Sequence, residues 1–414
     1  MRESVACLHC GSRNAEVGSE SEAMAKKPRQ VAVILDVSSP YQRKMIRGVA
    51  AYARQAGGWR LYVEENPLDT LPDLKAWRGD GIITAFTERR YAALVRGLDL
   101  PVVGVEGGYG WYEPDSGIPY FATDDAAVAQ MAADHLIGQG YSRLAFCGLP
   151  KSRQTEWVER RRRAFVARAR EAGVPCHVYA GHHQSTRQWA ALQRDLCTWL
   201  RSLEKPVGIM AANDARARHV LEACRSVGLR VPEDVAVIGV DNHELMCELT
   251  DPPLSSIEQG AQELGYRAAE LLDQMMAGKR PRALANLVAP ERVIVRRSTD
   301  TLVIGDADVA KAMRFIRDHA CEHIRVADVL DQVAVSRSTL EARFRTIVGK
   351  TIRDEIHDAM LRHAQELIAA KELTLKQVAR EAGFSHVQHM TNLFRRRLGR
   401  TPGEFQRLAR LGGA

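Results

Sequence analysis

The stretch Phe344-Arg-Thr-Ile-Val-Gly349-Lys-Thr351 returns fifty residues later as Phe394-Arg-Arg-Arg-Leu-Gly399-Arg-Thr401. In each copy the motif closes a helical segment that is introduced by a Ser and preceded by a turn and a shorter helical segment. We predict helix-turn-helix units over about 326–347 and 374–397. Two such units in tandem are typical of a protein that places two helices in successive major grooves of DNA.

Residue types within these units support the interpretation. Val378 and Ala379 before the second turn, and Met390 and Phe394 after it, have the spacing of two short apolar faces, while Gly383 suits a left-handed turn. The opposite faces carry side chains that bind base edges and phosphates. The DNA-contact candidates are Ser336, Arg337, Ser338, Thr339 and Arg343 in the first unit and Ser385, His386, Gln388, His389, Asn392, Arg395 and Arg396 in the second.

The basic charge of the chain is concentrated at its end. From Lys371 to the last residue there are nine Lys or Arg residues and three Glu residues. This segment therefore has a net charge of +6, out of the formal +7 of the whole chain. A local excess of this kind is expected of a phosphate-facing surface. Alternatively, Arg395–Arg397 alone could be a solvated helix end that stabilises the helix dipole.

Residues from about 306 to 410 resemble the DNA-binding domain of the AraC/XylS family. The shared motifs are Ala382-Gly383-Phe384, Phe394-Arg395, Gly399-Arg400-Thr401-Pro402 and Phe405. The chain departs from the family pattern at Met390, where an aromatic residue is usual, and at Gln406, where Arg is usual. The resemblance implies an all-α domain that binds operator DNA.

Between residues 29 and 297, short apolar runs alternate with amphipathic segments. We predict strands at 31–36, 59–63, 81–86, 101–105, 143–148, 206–212 and 235–240, and a helix over 41–56. Buried parallel strands that alternate with helices indicate two doubly wound lobes. We expect these to comprise 29–142 with 258–280 and 143–257 with 281–297, followed by a linker at 298–305.

Polar residues at the predicted strand ends mark a candidate ligand site, because ligands of such folds bind at the carboxyl ends of the strands. Carboxylates and amides suit the hydroxyls of a neutral sugar, and aromatic rings can cover its apolar face. Asp124 and Asp214 could instead cap helices, and each aromatic ring could belong to the core. The polar candidates are Asp36, Glu106, Asp124, Arg161, Asp214, Asp241 and Asn242, and the aromatic ones are Phe86, Tyr109, Trp111 and Trp189.

The segment 213–242, followed by Pro253-Leu-Ser-Ser-Ile257, resembles the effector-binding core of LacI-type repressors and periplasmic sugar-binding proteins. The resemblance implies effector contacts from Asp241 and Arg161. The LacI-type N-terminal DNA-binding headpiece is missing. We therefore predict an α/β two-lobed, periplasmic-binding-protein-like (type I) sensor domain over 29–297 and an all-α C-terminal domain over 306–410 with two helix-turn-helix units.

A LacI-like sensor placed before an AraC-type output domain is similar to the activators of D-xylose operons. Tyr41-Gln-Arg43-Lys, Gly79-Asp-Gly-Ile-Ile and Arg297-Ser-Thr-Asp300 fit this resemblance, which adds Tyr41 and Arg43 to the sugar-site candidates. It implies a homodimeric activator that binds D-xylose and operator DNA and contacts RNA polymerase. A cytoplasmic location is expected because the sequence shows no apolar signal segment and no membrane-spanning run. A regulator that responds to another sugar remains an alternative.

Other classes of protein find less support. A sugar-acting enzyme would need a catalytic motif, and the sequence shows neither a Walker loop nor a nucleophile elbow, although paired acids such as Asp124 and Asp125 could do acid-base work. An exported binding protein would need a signal peptide and no C-terminal helices.

The sequence predicts no cofactor, metal site or membrane span. Cys7 and Cys10 form a single Cys-x-x-Cys without a second pair nearby. No apolar run approaches the ~18 residues of a membrane-spanning helix. Residues 1–28 are polar and aperiodic, so we expect a disordered tail or a translation start at Met24 rather than Met1.

Overall fold

The computed structural model describes residues 28–63, 77–87, 89–106, 110–181, 188–300, 306–369 and 373–411. Tyr109, the predicted tail up to residue 27 and residues 301–305 of the predicted linker lie outside these ranges. Within them, no helix is both long enough and apolar enough to cross a membrane.

Two six-stranded sheets organise the region before the predicted linker. The strands are β1 (Arg29–Ile34), β2 (Trp59–Val63), β3 (Gly81–Ala85), β4 (Val102–Val105), β5 (Tyr120–Thr123), β6 (Leu144–Cys147), β7 (Cys176–Tyr179), β8 (Val207–Ala211), β9 (Val235–Val240), β10 (Ser255–Glu258), β11 (Ala285–Val288) and β12 (Arg292–Ile294). The helices are α1 (Pro40–Ala56), α2 (Arg89–Val95), α3 (Asp125–Gly138), α4 (Glu156–Glu171), α5 (Trp189–Ser202), α6 (Asp214–Ser226), α7 (Glu244–Glu248) and α8 (Ala261–Met276).

The first sheet has the strand order β11-β5-β4-β3-β1-β2, and the pairings of β1 to β5 are parallel. Helices α1 and α8 pack closely beside it because glycines remove side chains at their contact. A Cβ atom on Gly48 would lie 2.0 Å from the carbonyl oxygen of Gln262, and one on Gly265 would lie 2.0 Å from that of Met45. Glycine is therefore required at both positions.

The second sheet has the order β12-β10-β9-β8-β6-β7, in which the pairing of β12 with β10 is antiparallel and the others are parallel. Every residue of β6, β8 and β9 is buried. Helices cover such strands on both faces, which explains their continuous apolar sequence. The parallel strands bring their carboxyl ends to one edge of the sheet.

The boundary between the two lobes differs from the prediction. The first unit comprises residues up to Ala122 together with Ala261–Asn286, and the second begins at Thr123, leaves at Gly260 and resumes at Leu287. Helix α3 therefore belongs to the second lobe, where Val128, Ala132 and Leu136 share a core with strand β6. The periodicity of α3 predicts a helix, but an apolar helical face fits either sheet, and only packing decides between them.

The predicted start of the linker at residue 298 is also wrong. Ser298 and Thr299 are fully buried. The amide of Val237 donates to the carbonyl oxygen of Ser298 at 3.0 Å, and the hydroxyl of Ser298 donates to the carbonyl oxygen of Val237 at 2.6 Å. These residues are part of the second lobe because they pair with strand β9.

The C-terminal region is all α-helical, as predicted. Its core includes Leu340 and Phe344 from the first repeat and Met390 and Phe394 from the second, two pairs that are fifty residues apart. The predicted core positions Val378 and Ala379 are buried. The helices are α9 (Ala307–His319), α10 (Val326–Leu330), α11 (Arg337–Val348), α12 (Ile352–Ala369), α13 (Leu375–Glu381), α14 (Val387–Leu398) and α15 (Pro402–Leu411).

The repeated Gly-x-Thr motif ends one helix and begins the next. Gly349 and Gly399 adopt φ angles of 77° and 68°, the left-handed conformation that terminates α11 and α14. Thr351 then accepts a hydrogen bond from the amide of Asp354 at 3.1 Å, and Thr401 accepts one from that of Glu404 at 3.2 Å. The sequence duplication is thus a duplicated helix junction.

The predicted Ser caps hold for one unit only. Ser336 caps α11 and accepts a hydrogen bond from the amide of Thr339 at 3.3 Å. The capping position of α14 is His386, whose side chain makes no capping hydrogen bond, so the prediction of Ser385 is wrong. The fifty-residue offset pairs Ser336 with His386, and Ser385 lies one residue earlier in the turn.

The predicted left-handed turn residue in the second unit is confirmed. Gly383 has φ 77°, and a Cβ atom there would lie 2.7 Å from the Cα atom of Cys321. Both the backbone conformation and the close approach exclude a side chain.

We expect Gly383→Ala to lower the free energy of unfolding by more than Gly399→Ala. At Gly399 a Cβ atom would meet open space, so alanine there costs only the left-handed conformation, about 1 to 2 kcal/mol. Gly383→Ala adds the steric conflict with Cys321. Urea denaturation of both variants measures the difference, and equal midpoints would contradict this assignment.

Candidate functional site

Arg161 is the centre of a buried polar network in the second lobe. Its side chain is 5% exposed and donates to the Asp125 carboxylate at 2.9 Å, to the carbonyl oxygen of Ala212 at 2.8 Å and to the Gln259 side chain at 2.8 Å. The network joins the start of α3, the middle of α4 and the ends of β8 and β10. Burial raises the pKa of Asp125, and the guanidinium of Arg161 opposes that shift.

Gln259 extends this network to Asp241. The side-chain amide of Gln259 donates to the carboxylate of Asp241 and accepts from Arg161. Two of the sequence candidates, Arg161 and Asp241, are therefore linked through a residue that the sequence reasoning missed. Gln259 comes directly after β10, so the rule that ligand-site residues follow parallel strands could have found it.

Asp214 is held by the protein itself. It is 1% exposed and accepts hydrogen bonds from the hydroxyl of Ser256 at 2.6 Å and from the amide of His243 at 2.8 Å. Burial and the nearby charge of Asp241 raise its pKa to about 7. It does not cap α6, because Asn213 fills that position.

Asn242 is likewise engaged in internal bonds. Its side-chain amide donates to Glu258 at 3.0 Å, and its side-chain oxygen accepts from Arg296 at 2.9 Å. Its backbone amide donates to Ser256 at 3.0 Å. Asn242 thus joins the ends of β9 and β10, close to the bonds that Asp214 makes with Ser256.

Unusual backbone conformations mark the ends of two strands. Among the described residues that are not glycine, those with positive φ are Glu106 (56°), Asp241 (109°), Asn242 (45°) and His323 (60°). The first follows β4, and the next two follow β9. Strain of this kind persists where the surroundings impose it and is concentrated at functional sites.

In the first lobe, Gln42 connects two of the predicted site residues. Its side-chain oxygen accepts from the amide of Asp36 at 2.6 Å, and its side-chain nitrogen donates to Glu106 at 3.0 Å. Arg43 donates to the carbonyl oxygens of Val37 and Ser38 at 2.9 and 2.8 Å, and Tyr41 is half-buried. Gln42 was missed although it lies between the candidates Tyr41 and Arg43.

Asp124 acts as a helix cap, as the alternative interpretation of the sequence held. Its carboxylate accepts from the amides of Ala126 and Ala127 at the start of α3, both at 3.0 Å. A second role in ligand binding remains a prediction.

The aromatic candidates divide between core and surface. Phe86 is 3% exposed and packs edge-to-face against Tyr112, so it belongs to the core. Trp111 is half-buried beneath the guanidinium of Arg89, which is 5.7 Å from its ring centre. Trp189 packs edge-to-face against His219. Trp111 and Trp189 therefore stay candidates, and Phe86 does not.

The second helix-turn-helix unit exposes most of its predicted contact residues. Gln388, Asn392, Arg395 and Arg396 lie on one face of α14 at helical spacing and are exposed, as are Ser385 and His386 before it. Gln388 donates to the side-chain oxygen of Asn392 at 3.3 Å. His389 is half-buried and packs edge-to-face against Phe384 and His357. Part of its ring is therefore covered by contacts within the domain.

In the first unit, the predicted DNA contact Arg343 also forms ion pairs within the domain. Its guanidinium lies 3.2 Å from the carboxylate of Asp306 and 3.7 Å from that of Asp308, at the start of α9. The fifty-residue offset pairs it with the buried Leu393, although Arg343 itself is exposed. Arg345 is exposed and pairs by the same offset with Arg395. The repeat itself could have identified Arg345, which the sequence reasoning missed.

The other candidates of the first unit lie at the start of α11. Ser336, Arg337 and Ser338 are exposed, and Thr339 is half-buried. Arg337 donates to the carboxylate of Glu341 at 2.9 Å, one turn further along the helix. This unit therefore presents a less basic face than the second.

Comparisons with known proteins agree with both parts of the fold. Residues 30–126 match a model described as the XylR N-terminal domain, residues 133–299 a periplasmic binding protein-like domain, and residues 329–408 a helix-turn-helix domain.

Two curated relatives are similar over almost their whole length. The chain is 36% identical to the xylose operon regulatory protein of Escherichia coli (strain K12), over 92% of this chain and 98% of that one. It is 34% identical to the protein of the same name from Haemophilus influenzae, over 92% and 99%. A solved structure described as the xylose-binding transcription activator xylR superposes with a TM-score of 0.73 at 35% identity, over 93% of this chain and 99% of that one.

We expect Arg161→Met to destabilise the protein, because it leaves the buried Asp125 carboxylate without its cation. Breaking a buried ion pair from one side costs about 3 to 5 kcal/mol. Arg168→Met is the matched control, since Arg168 lies on the same helix and pairs at 2.7 Å with the more exposed Asp134, a type of pair that contributes about 1 kcal/mol or less. Similar urea midpoints for the two variants would show that the network does not stabilise the fold.

Proposed function

The chain belongs to the family of xylose operon regulatory proteins, and we propose that it is a D-xylose-responsive activator of transcription. Residues 29–297 would sense the sugar, and residues 306–410 would bind operator DNA. One observation carries the proposal. The same chain contains two helix-turn-helix units and a lobe in which strained polar residues follow the strand ends. None of these polar residues needs a catalytic role.

We assign sugar binding to the polar residues at the carboxyl edge of each lobe. Asp241 is the leading contact because it is half-buried, has φ 109° and is oriented by Gln259. A carboxylate held in this way accepts hydrogen bonds from vicinal hydroxyls. Asp36, Tyr41, Arg43 and Glu106 are the corresponding candidates of the first lobe. Asp214 and Asn242 would act indirectly, because internal hydrogen bonds already hold their side chains.

We assign DNA binding to the exposed faces of α11 and α14. The side chains proposed to read bases are Gln388 and Asn392, and those proposed to bind phosphates or guanine are Arg395, Arg396 and Arg345. Arg343 is removed from this set because it is paired with Asp306 and Asp308.

Three further properties belong to the proposal. A homodimer would present two tandem pairs of recognition helices to paired half-sites, which would match the symmetry of an operator. An activator must also increase promoter use, so we expect a contact with RNA polymerase. The protein would bind operator DNA and RNA polymerase in the cytoplasm.

D-Xylose should raise the thermal midpoint of the wild-type protein, because a ligand that binds only the native state stabilises it. Asp241→Ala should abolish this rise while leaving the midpoint without sugar nearly unchanged. Asp134→Ala, which removes a more exposed acid of the same lobe, is the control and should keep the response.

A panel with D-ribose, L-arabinose and D-glucose separates the alternatives. A rise with one of these sugars and none with D-xylose would identify a regulator of another sugar. Chemical conversion of any sugar during incubation would favour the enzyme hypothesis. A full D-xylose response in Asp241→Ala would remove Asp241 from the site.

Arg395→Ala and Arg345→Ala should each weaken binding to DNA fragments that the wild-type protein selects from a random library. The expected loss is about 1 to 3 kcal/mol for a contact to guanine, or a salt slope reduced by about one for a contact to phosphate. Arg343→Ala should have little effect on either quantity. Fluorescence anisotropy at several salt concentrations measures both, and equal losses in all three variants would contradict the assigned face of α11.

A further inference from the structure

The last described residues of the sensor are anchored to the strands that carry the candidate sugar site. Ser298 is bonded to Val237 in the middle of β9, and the hydroxyl of Thr299 donates to that of Ser255 on β10 at 2.8 Å. The imidazole of His135 lies 2.8 Å from the same Thr299 hydroxyl. Asp300 therefore follows any shift of β9 and β10 within this lobe.

Arg362 on α12 connects Asp300 to the DNA-binding domain. Its guanidinium lies 3.3 Å from the carboxylate of Asp300 and donates at 3.1 Å to that of Glu355. Burial disfavours its charge, but the two carboxylates outweigh this effect and raise its pKa. Arg362 is thus a charged bridge between the two domains.

Glu355 links Arg362 to α11, the recognition helix of the first helix-turn-helix unit. Its side chain is 5% exposed, and its second oxygen lies 2.5 Å from the ammonium of Lys350. Lys350 comes directly after Gly349, the residue that ends α11. A movement of Arg362 that drew Glu355 with it would therefore displace the end of this helix.

The same face of α12 also forms ion pairs with α14, the recognition helix of the second unit. Asp358 lies 3.0 Å from Lys350 and 3.6 Å from Arg397, and Asp354 lies 2.6 Å from Arg397. Arg397 is in the last turn of α14. Asp354, Asp358 and Arg362 are four residues apart in sequence, which places them on one side of the helix.

We propose that Arg362 is a positioning residue of a charged relay, Asp300–Arg362–Glu355–Lys350 with Asp358 and Arg397, through which the sensor sets the ends of both recognition helices. The proposal rests on the proposed function, since it concerns how bound sugar changes DNA affinity. Sugar can do so only if the relay differs between two states of the protein.

A cavity beside the relay gives it room to rearrange. The cavity has a volume of about 140 Å³ and is lined by Asp300, Arg317, Lys350, Glu355 and Arg362, among others. Asp300, Glu355, Lys350 and Arg362 all line this space, so the ion pairs of the relay can form in more than one pattern. Packed interiors do not offer this freedom. Arg317, on the wall of the same cavity, is held outside the relay by Glu233.

The test is the ratio of operator affinities with and without saturating D-xylose, measured on the full chain by fluorescence anisotropy. Couplings of this kind are about 5- to 150-fold, and network residues change them by about 2- to 30-fold. Arg362→Gln should reduce the ratio by about 2- to 30-fold. The affinity for D-xylose, measured by calorimetry, should stay unchanged. Asp300→Asn should reduce the ratio similarly, and the double variant should be no worse than either single variant.

Arg317→Gln is the matched control. Arg317 pairs with Glu233 and so also bridges the sensor lobe and the DNA-binding domain, but it has no ion pair with α12 among the described residues. It should keep the wild-type ratio. An equal loss in Arg317→Gln would show that general docking of the domain carries the signal and would overturn the relay.

The remaining outcomes separate the two proposals. A normal ratio in both Arg362→Gln and Asp300→Asn overturns the relay alone. D-Xylose binding to the wild-type protein with a ratio of one overturns both proposals, because no signal would exist to transmit.

Discussion

The second lobe depends on the buried guanidinium of Arg161. Its planar fork has donors in several directions, and three of them bind groups from three different elements. Lysine could not reproduce this geometry, because its single ammonium is a compact point charge. The arrangement keeps the start of α3 and the ends of β8 and β10 in a fixed relation, and through Gln259 it also orients Asp241.

A constraint of a different kind shapes the C-terminal domain. Each recognition helix must stop at a left-handed glycine, and the next helix must begin two residues later at a capping threonine. Because both junctions obey the same rule, the two units share one internal arrangement. The units still differ at buried positions, where Leu340 corresponds to Met390, and in charge, since the three arginines of α11 are accompanied by Glu341 whereas α14 carries three arginines and no acid.

The charged face of α12 contacts the sensor residue Asp300, Lys350 after the end of α11 and Arg397 in the last turn of α14. Ion pairs on a protein surface contribute little to stability, because water and salt screen them. Around Glu355 the situation differs, since this carboxylate is nearly buried and contacts two cations. Such a group strongly restricts the positions of its partners, which makes it suited to setting the orientation of neighbouring helices.

Sequence reasoning identified the elements of this protein more reliably than the contacts of individual side chains. The strand runs and the helix-turn-helix repeats were predictable, because their periodicity and turn residues are local properties of the chain. For Arg343 the sequence did not reveal the partners Asp306 and Asp308, because these residues are distant from it in the chain. Ser385 was misjudged because a shift of one residue changes which side chain caps a helix.

The sequence by itself determined that there are two lobes and two tandem units, since period and motif spacing specify which elements form, and its motifs carried the resemblance to the family. Only the tertiary structure decided that α3 packs in the second lobe, that Ser298 pairs with β9, and that Asp214 and Asn242 are held by internal bonds. These outcomes depend on which residues distant in the chain come within hydrogen-bonding reach. Local periodicity carries no information about such distances.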